Sequence, residues 1–236
     1  PRGAAQHAKQ RSVGAIFHQE DAVNPRHVLD RLVARQLGHP TGLLGAVIAR
    51  MLNKGNAPTI TAAVAALELA GTETAADIGF GGGLGLDLLL ASTAGHVHGV
   101  EPSPDMIQRA RRSHPREVAA GRLHLHAGTM DALPLAAASL DGWISLNTVY
   151  FVADLAPAFA DLRRVLRPSG RGVLGVADPG WLGRQPFARH GFLVRPVDEI
   201  TGALADAGFH VERRTTPASR STGGGAPYNL LICRPG

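Results

Sequence analysis

Short apolar runs alternate with helical patterns over most of the chain. Strand-like runs end in Ile78, Val100, Ala127, Leu146 and Ala177, and the last of these begins at Gly172. Most are separated by segments whose apolar residues recur at helical spacing. This alternation is typical of parallel strands joined by helices. Ser103 followed by Pro104 predicts the N-cap and first position of the helix after the second strand. Two further runs, 209–214 and 228–233, follow with only a segment rich in Gly, Ser and Pro between them. The pattern predicts a doubly wound, seven-stranded α/β fold.

The N-terminal part of the chain has a different pattern. Residues 1–15 are polar and without period, which predicts a flexible lead. Helical spacing over 22–37 and 43–52, with breaks at 38–42 and 53–55, predicts a helical cap over 16–55. We expect this cap to act as a lid on the domain at 56–236, with Asn56 as the N-cap of a helix that runs to Leu69.

A glycine-dense turn follows the first predicted strand of that domain. Asp77 opens a D-x-G-x-G-x-G sequence that continues through Gly79, Gly81 and Gly83, and an acid, Glu101, closes the next strand. Strand, glycine turn, helix, strand and acid describe a nucleotide site at the carboxyl edge of a parallel sheet. A bare G-x-G-x-x-G match is weak in a chain with 29 glycines, and either Gly83 or Gly85 can serve as the third glycine.

With the acid at its start, the motif resembles that of class I S-adenosylmethionine (SAM) dependent methyltransferases. The resemblance implies that Asp77 faces the amino-acid end of SAM, that the glycines admit its body, and that Glu101 accepts the ribose hydroxyls. A carboxylate suits the last role because it is an acceptor only and can take two donors. The resemblance implies cofactor contacts at eleven positions: Asp77, Gly79, Phe80, Gly81, Gly83, Glu101, Pro102, Met106, Thr129, Met130 and Asn147.

Three later segments extend the resemblance at the expected spacing. Residues 127–135 resemble the segment after the third strand, but Thr129 stands where the family usually has an aspartate that binds adenine. A hydroxyl lacks the charge-assisted hydrogen bond of a carboxylate, so adenine binding is expected to be weaker. Asn147 ends the fourth strand, where the family contacts the amino group of the cofactor. Residues 164–170 resemble the turn before the fifth strand. The resemblance implies a mostly parallel sheet in which the last strand lies antiparallel beside the fifth.

Two residues are candidates for catalysis. Tyr150 follows the strand whose end faces the transferred methyl group, and it can orient an acceptor or pack its ring beneath the N-terminal helices. His190 lies in a predicted loop, residues 179–194, with Trp181, Phe187 and Phe192, and it is either a base or a surface histidine. His18, in the N-terminal cap, is a weaker candidate of the same kind.

Composition narrows the functional classes. No apolar run is long enough for a membrane span, and the single cysteine, Cys233, excludes an internal disulfide, so we expect a cytoplasmic protein. Four histidines, His96, His98, His124 and His126, fall on one face of two strands, but without carboxylates at ligand spacing we predict no metal site. The resemblance also implies no metal requirement, because the methyl group of SAM is already activated by its positive sulfur, unless the acceptor is a catechol-like pair of oxygens.

The net charge of +5 arises from residues 1–60, which contain eight basic and three acidic residues, while the rest of the chain is neutral overall. These bases lie at helical spacing without interleaved aromatics, which disfavours nucleic acid as a partner. We therefore expect a methyltransferase acting on a small organic acceptor, such as a natural product or a quinone-like ring. The alternatives are a nucleic-acid methyltransferase that uses the basic N-terminus and a SAM-binding protein without transferase activity, such as a cyclase or scaffold.

Overall fold

A seven-stranded sheet forms the centre of the structure, a computed structural model that describes residues 55–216 and 227–236. The strand order is β3-β2-β1-β4-β5-β7-β6, so the chain reverses direction across the sheet between β1 and β4. The strands are β1 (Ala75–Ile78), β2 (Val97–Glu101), β3 (Leu123–Ala127), β4 (Leu140–Leu146), β5 (Leu166–Ala177), β6 (Phe209–Thr216) and β7 (Tyr228–Pro235).

The first five strands are parallel, and β7 pairs antiparallel with both β5 and β6. The predicted doubly wound sheet with an antiparallel last strand is therefore confirmed. The carboxyl ends of β1, β2 and β4 meet at one edge, because Ile78 is in register with Val100 and Asp77 with Ile144. In open α/β sheets ligands bind at this edge, at the point where the strand order reverses.

Helices cover both faces of the sheet. Residues 55–66 form the described part of α1, and the remaining helices are α2 (Leu84–Ser92), α3 (Pro104–Ser113), α4 (Pro115–Ala119), α5 (Leu155–Val165), α6 (Pro179–Leu182) and α7 (Val197–Asp206). Ser103 is the N-cap of α3 as predicted, since its hydroxyl accepts from the Met106 amide at 3.4 Å and Pro104 occupies the first helical position. α2 and α3 pack on one face with Leu86, Leu89 and Ile144, and α5 and α7 pack on the other with Phe159, Leu162 and Leu204.

Several predicted boundaries were wrong. Asn56 is not an N-cap, because residue 55 is already helical. β5 begins at Leu166, well before the predicted Gly172, since Leu166 pairs with Leu140 and the ladder resumes after an irregularity where Arg171 pairs with Gly142. Pro168 lies within that irregularity, where no ladder amide is needed. The segment 179–194, predicted as a loop, contains α6 and a 3₁₀ turn at Pro186–Arg189.

The predicted lead and helical cap, residues 1–15 and 16–55, lie outside the described residues except for residue 55. Within the described ranges, no helix is both long enough and apolar enough to cross a membrane.

Candidate functional site

The glycine turn between β1 and α2 is anchored to the neighbouring strand. The Gly79 amide donates to the Val100 carbonyl at 2.8 Å, which continues the pairing of β1 with β2. Two residues later, the Gly81 amide donates to Glu101 Oε2 at 3.0 Å. The sequence predicted that this acid lies beside the turn. The structure adds that the Glu101 carboxylate holds the turn directly, by accepting from a backbone amide of the turn.

The carboxylate of Glu101 is buried and fixed at both oxygens. While Oε2 accepts from Gly81, Oε1 accepts from the Ser103 amide at 3.1 Å. A carboxylate oxygen has two lone pairs, so each oxygen can accept a second donor while these backbone bonds persist. Ser103 also caps α3, and the cap and the acid therefore form one rigid unit at the carboxyl edge.

Asp77 is buried at the base of the turn. Burial, with a further contribution from the negative charge of Glu101, raises the pKa of Asp77 to about 8. Two buried carboxyl groups near each other resist simultaneous ionisation. A cationic group brought to this site would favour the ionised form of Asp77.

The structure decides which glycine completes the motif. Gly83 has a φ of 86°, and a Cβ added to it would meet no atom within 4 Å. Gly85 lies inside α2, where a Cβ would stand 2.1 Å from Asp77 Oδ2. Gly83 therefore borders open space beside the turn, whereas Gly85 is needed for the close packing of helix and strand.

Three predicted cofactor residues direct their side chains into the core. Phe80 and Met106 belong to the core on the α2 face, and Met130 belongs to the core on the opposite face. Any contact of these residues with a ligand at the edge would therefore be made by the backbone. Pro102 is half-buried between Glu101 and Ser103 at the start of α3.

Thr129 lies at the same edge, after β3, in a tight turn. Its carbonyl accepts from the Ala132 amide at 3.2 Å, and its side chain is exposed. Asp131 is exposed in the same turn. The hydroxyl of Thr129 is thus available at the position where the resemblance places the adenine contact, and that contact stays a prediction.

The end of β4 forms the other wall of the site. Asn147 takes a left-handed conformation, with φ 61°, and its amide donates to the Gly175 carbonyl at 3.0 Å. Thr148 packs against the glycine turn so closely that a Cβ on Gly79 would lie 2.4 Å from its Oγ1. Sequence reasoning missed Thr148, because a threonine after a strand carries no signal of a contact 69 residues earlier.

The two catalytic candidates differ in their surroundings. Tyr150 is buried, its hydroxyl accepts from the Ala177 amide at 2.6 Å, and burial raises the pKa of the phenol further above its ordinary value. The hydroxyl is thus held by the backbone, as the packing alternative expects, and a role in orienting an acceptor would use its O–H proton. His190 is half-buried after the 3₁₀ turn at Pro186–Arg189. Catalytic roles for both residues stay predictions.

An aromatic cluster adjoins the end of β4. The ring of Phe192 lies 5.7 Å from that of Tyr150, 4.8 Å from that of Phe151 and 5.5 Å from that of Phe187. The Leu193 amide donates to the Tyr150 carbonyl at 2.9 Å. Among the described residues, the large apolar side chains with substantial exposure are Phe151, at 38%, and Leu193, at 43%.

The four histidines form a ladder across β2 and β3. His98 Nδ1 lies 3.0 Å from His126 Nε2, and His124 Nε2 lies 3.3 Å from His96 Nδ1. Burial, together with the neighbouring imidazoles, lowers the pKa of His98 to about 4. Within residues 55–216 and 227–236, no group of three or more His, Cys, Asp or Glu side chains could hold a metal ion.

An open groove of about 390 Å³ lies between Pro179 and residues 194–198. It shares no residue with the glycine turn, and its two arginines are already bonded. Arg195 donates to the carbonyls of residues 149, 152 and 153, and Arg213 donates to Asn229. We therefore assign the candidate site to the carboxyl edge of the sheet, where Glu101 and the glycine turn meet, and not to this groove.

Comparison with known proteins agrees with this geometry. Residues 76–174 match the sequence model of a family described as Methyltransferase domain. The O-methyltransferase cnsE of Penicillium expansum is 28% identical over 141 residues, which cover 57% of this chain and 51% of that protein. The chain therefore spans about half the length of this relative.

Solved structures share the fold. A putative methyltransferase of Haloferax volcanii, solved in complex with the Trm112 methyltransferase activator, superposes with a TM-score of 0.68 and 22% identity, covering 79% of this chain and 93% of that one. Geranyl diphosphate C-methyltransferase from Streptomyces coelicolor A3(2) was solved with Mg²⁺, geranyl diphosphate and S-adenosyl-L-homocysteine (SAH). It has a TM-score of 0.65 and 17% identity, covering 85% of this chain and 87% of that one.

The fold and the site together define a nucleotide-binding α/β domain with the fold of class I methyltransferases. Residues 76–174 match the Methyltransferase domain model, and the cofactor of such domains is SAM. The residues present fit that cofactor: the turn leaves open space beside Gly83, and a buried acceptor, Glu101, ends β2. Asp77, Gly81, Gly83, Glu101 and the backbone around Asn147 would hold it.

Proposed function

We propose that this protein transfers a methyl group from SAM to a small organic acceptor. The observation that carries the proposal is the pairing of Glu101 with the Gly81 amide beside the open space at Gly83. This pairing holds a buried acceptor and an unobstructed backbone at the same edge of the sheet, which suits a ligand with hydroxyls and a compact body.

SAM supplies a methyl group on a positively charged sulfur, so the chain itself needs to align the acceptor and exclude water rather than stabilise an oxyanion. The groups at the ends of β2 and β4 suit this task because they are fixed by hydrogen bonds to the backbone. The Tyr150 hydroxyl is one such group, held by the Ala177 amide. His190 is kept as a candidate base for an acceptor that must lose a proton.

The surface beside the end of β4 supports an apolar or aromatic acceptor. Phe151 and Leu193 expose apolar area there, and Phe192 joins them to the buried ring of Tyr150. Pockets for small organic ligands are lined mainly by apolar and aromatic side chains with a few polar groups. The similarity to an O-methyltransferase supports the same class of acceptor.

The two alternative functions differ in the residues that they would use. A nucleic-acid methyltransferase would use the basic N-terminus, which lies outside the described residues. A SAM-binding protein without transferase activity would share the whole cofactor site, and only turnover separates it from an enzyme.

We also keep residues 16–55 as a proposed lid. Deletion of residues 1–53 would then abolish methyl transfer while SAH binding persists.

The test of the function uses the full chain. Calorimetry with SAH comes first, and incubation with SAM and a panel of hydroxylated aromatic compounds follows, with SAH formation as the readout. Acceptor-dependent SAH formation is expected. Absence of SAH binding at millimolar concentration would refute the cofactor site, and binding without turnover would favour the non-transferase alternative.

A matched pair of variants tests the acceptor surface. Phe151→Ala should lower kcat/KM for an apolar acceptor by about tenfold or more, since it removes most of a contact with an aromatic ring. Its affinity for SAH should be unchanged. Leu90→Ala, which trims a partly buried apolar side chain near the end of α2, is the control for a general loss of packing. Equal effects from both variants would argue against the acceptor surface.

A further inference from the structure

Two side chains from distant parts of the chain, Asn56 and Asn147, meet at the hydroxyl of Tyr228. The hydroxyl accepts from Asn147 Nδ2 at 2.9 Å, and its single proton can be donated to Asn56 Oδ1 at 3.0 Å or to Asn147 Oδ1 at 3.1 Å. Asn147 is 81 positions and Asn56 is 172 positions away along the chain. The network therefore joins the start of β7, the end of β4 and the described beginning of helix α1.

Asn147 is the residue of this network with a strained backbone conformation. Its φ of 61° lies in the left-handed region, which residues with a Cβ adopt at an energetic cost. Such a conformation persists only where the surroundings hold it, and here both the amide and the side chain are held. The amide donates to the Gly175 carbonyl at 3.0 Å, while the side chain points to Tyr228 and not to the glycine turn.

Tyr228 is suited to hold this turn. Its side chain is 5% exposed, and burial raises the pKa of its phenol to about 12, so the hydroxyl remains protonated at any working pH. Its position is fixed by the sheet, because Tyr228 pairs with Ala177 across β5 and β7. The Ala177 amide in turn donates to the Tyr150 hydroxyl, so both tyrosines fix the segment that follows β4.

We propose that Tyr228 is a positioning residue of the methyl-transfer site, which holds Asn147 in its left-handed conformation and ties that turn to helix α1 through Asn56. The inference rests on the proposed function, since it assigns the turn at Asn147 to the cofactor site. Because Thr148 packs on Gly79, a shift of this turn also moves the glycine loop. Tyr228 thus acts on the ligand through other residues, without touching it.

A double-mutant cycle tests the proposal. Tyr228→Phe removes only the hydroxyl and should weaken SAH binding by about three- to tenfold, the usual effect of one lost hydrogen bond. Glycine adopts a φ near 61° without strain, so in an Asn147→Gly background the same Tyr228→Phe change should weaken binding less than twofold. Equal effects of Tyr228→Phe in both backgrounds would overturn the proposal, because Tyr228 would then act only through the general stability of the sheet.

A control variant and a second measurement separate this proposal from the proposed function. Thr215→Val removes a hydroxyl that donates to Asn229 Oδ1 at 3.3 Å in the same strand pair, and it should leave SAH affinity within twofold of the wild type. Hydrogen exchange of the ligand-free protein should show faster exchange over residues 146–150 in Tyr228→Phe, with residues 97–101 unchanged. This result is expected even if SAH does not bind, and unchanged exchange over 146–150 would refute the network.

Asn56→Ala tests the link to helix α1. It should reproduce the faster exchange over 146–150, since Tyr228 loses its acceptor on the helix. If Asn56→Ala leaves that exchange at the wild-type rate, the part of the proposal that couples α1 to the turn is wrong.

Discussion

The carboxylate of Asp77 lies against the α-carbon of Gly85, so that a methyl group on Gly85 would stand 2.1 Å from Oδ2. This contact buries the acid between β1 and the first turn of α2. Burial and the charge of Glu101 then raise the pKa of Asp77 to about 8, so a large share of the ligand-free protein carries a neutral Asp77 at neutral pH.

The affinity for SAM should therefore rise with pH. A cationic ligand favours the ionised carboxylate, so binding lowers the pKa of Asp77 and releases a proton below pH 8. We expect affinity to increase between pH 6 and 8, by at most about tenfold per unit, and to level off above pH 8. Calorimetry in two buffers of different ionisation enthalpy measures the proton release.

Asp77→Asn is the control for this dependence. The amide cannot ionise, so its binding should be weaker at pH 8 and independent of pH through this range. An identical pH profile in wild type and variant would show that another group causes it.

Gly83→Ala should weaken SAH binding by tenfold or more, because the added Cβ enters the open space beside the turn. The variant is also less stable, because alanine adopts a left-handed backbone such as that at φ 86° at an energetic cost. Gly121→Ala pays a similar cost at φ 68°, again with no atom within 4 Å of its Cβ, but it lies before β3 and away from the site. Calorimetry that found equal SAH affinities for the two variants would contradict the assignment of Gly83.

Thr129→Asp should leave SAH affinity intact or make it tighter, because a carboxylate forms a charge-assisted hydrogen bond where the hydroxyl forms a neutral one. The side chain is exposed, so the change should cost the fold little. Asp131→Asn in the same turn is the control, with no expected change in affinity. A tenfold loss of binding in Thr129→Asp would mean that adenine binds elsewhere.

The histidine ladder should make stability depend on pH. The folded-state pKa of His98, about 4, is below its ordinary value of 6.5, and burial also lowers that of His126. Between pH 6.5 and 4 the unfolded chain therefore binds more protons, and stability is lost as pH falls through this window. Urea unfolding at pH 7.5 and 5 should show a smaller loss in His98→Gln than in wild type, and equal losses would exclude His98 as the cause.

Much of the fold follows from local pattern. The alternation of apolar runs and helical spacing predicted the seven strands and most of the helices, since side-chain periodicity reflects which face of an element is buried. Ser103 followed by Pro104 predicted the start of α3, because capping depends only on neighbouring residues. The spacing of Asp77, the glycines and Glu101 predicted the edge of the sheet at which the site lies.

Other features depended on contacts between distant residues. The sequence alone could not decide between Gly83 and Gly85, because the choice rests on where the Asp77 side chain points once α2 packs on β1. Asn56 looked like a helix cap by local pattern, but it meets Tyr228 from the opposite end of the chain. No pattern in the sequence was a reason to assign a role to Tyr228. The role of its hydroxyl depends on the hydrogen-bond partners that strand order and register bring close to it. Local chemistry thus determined the elements and the location of the site, and only the tertiary structure decided which side chains hold it.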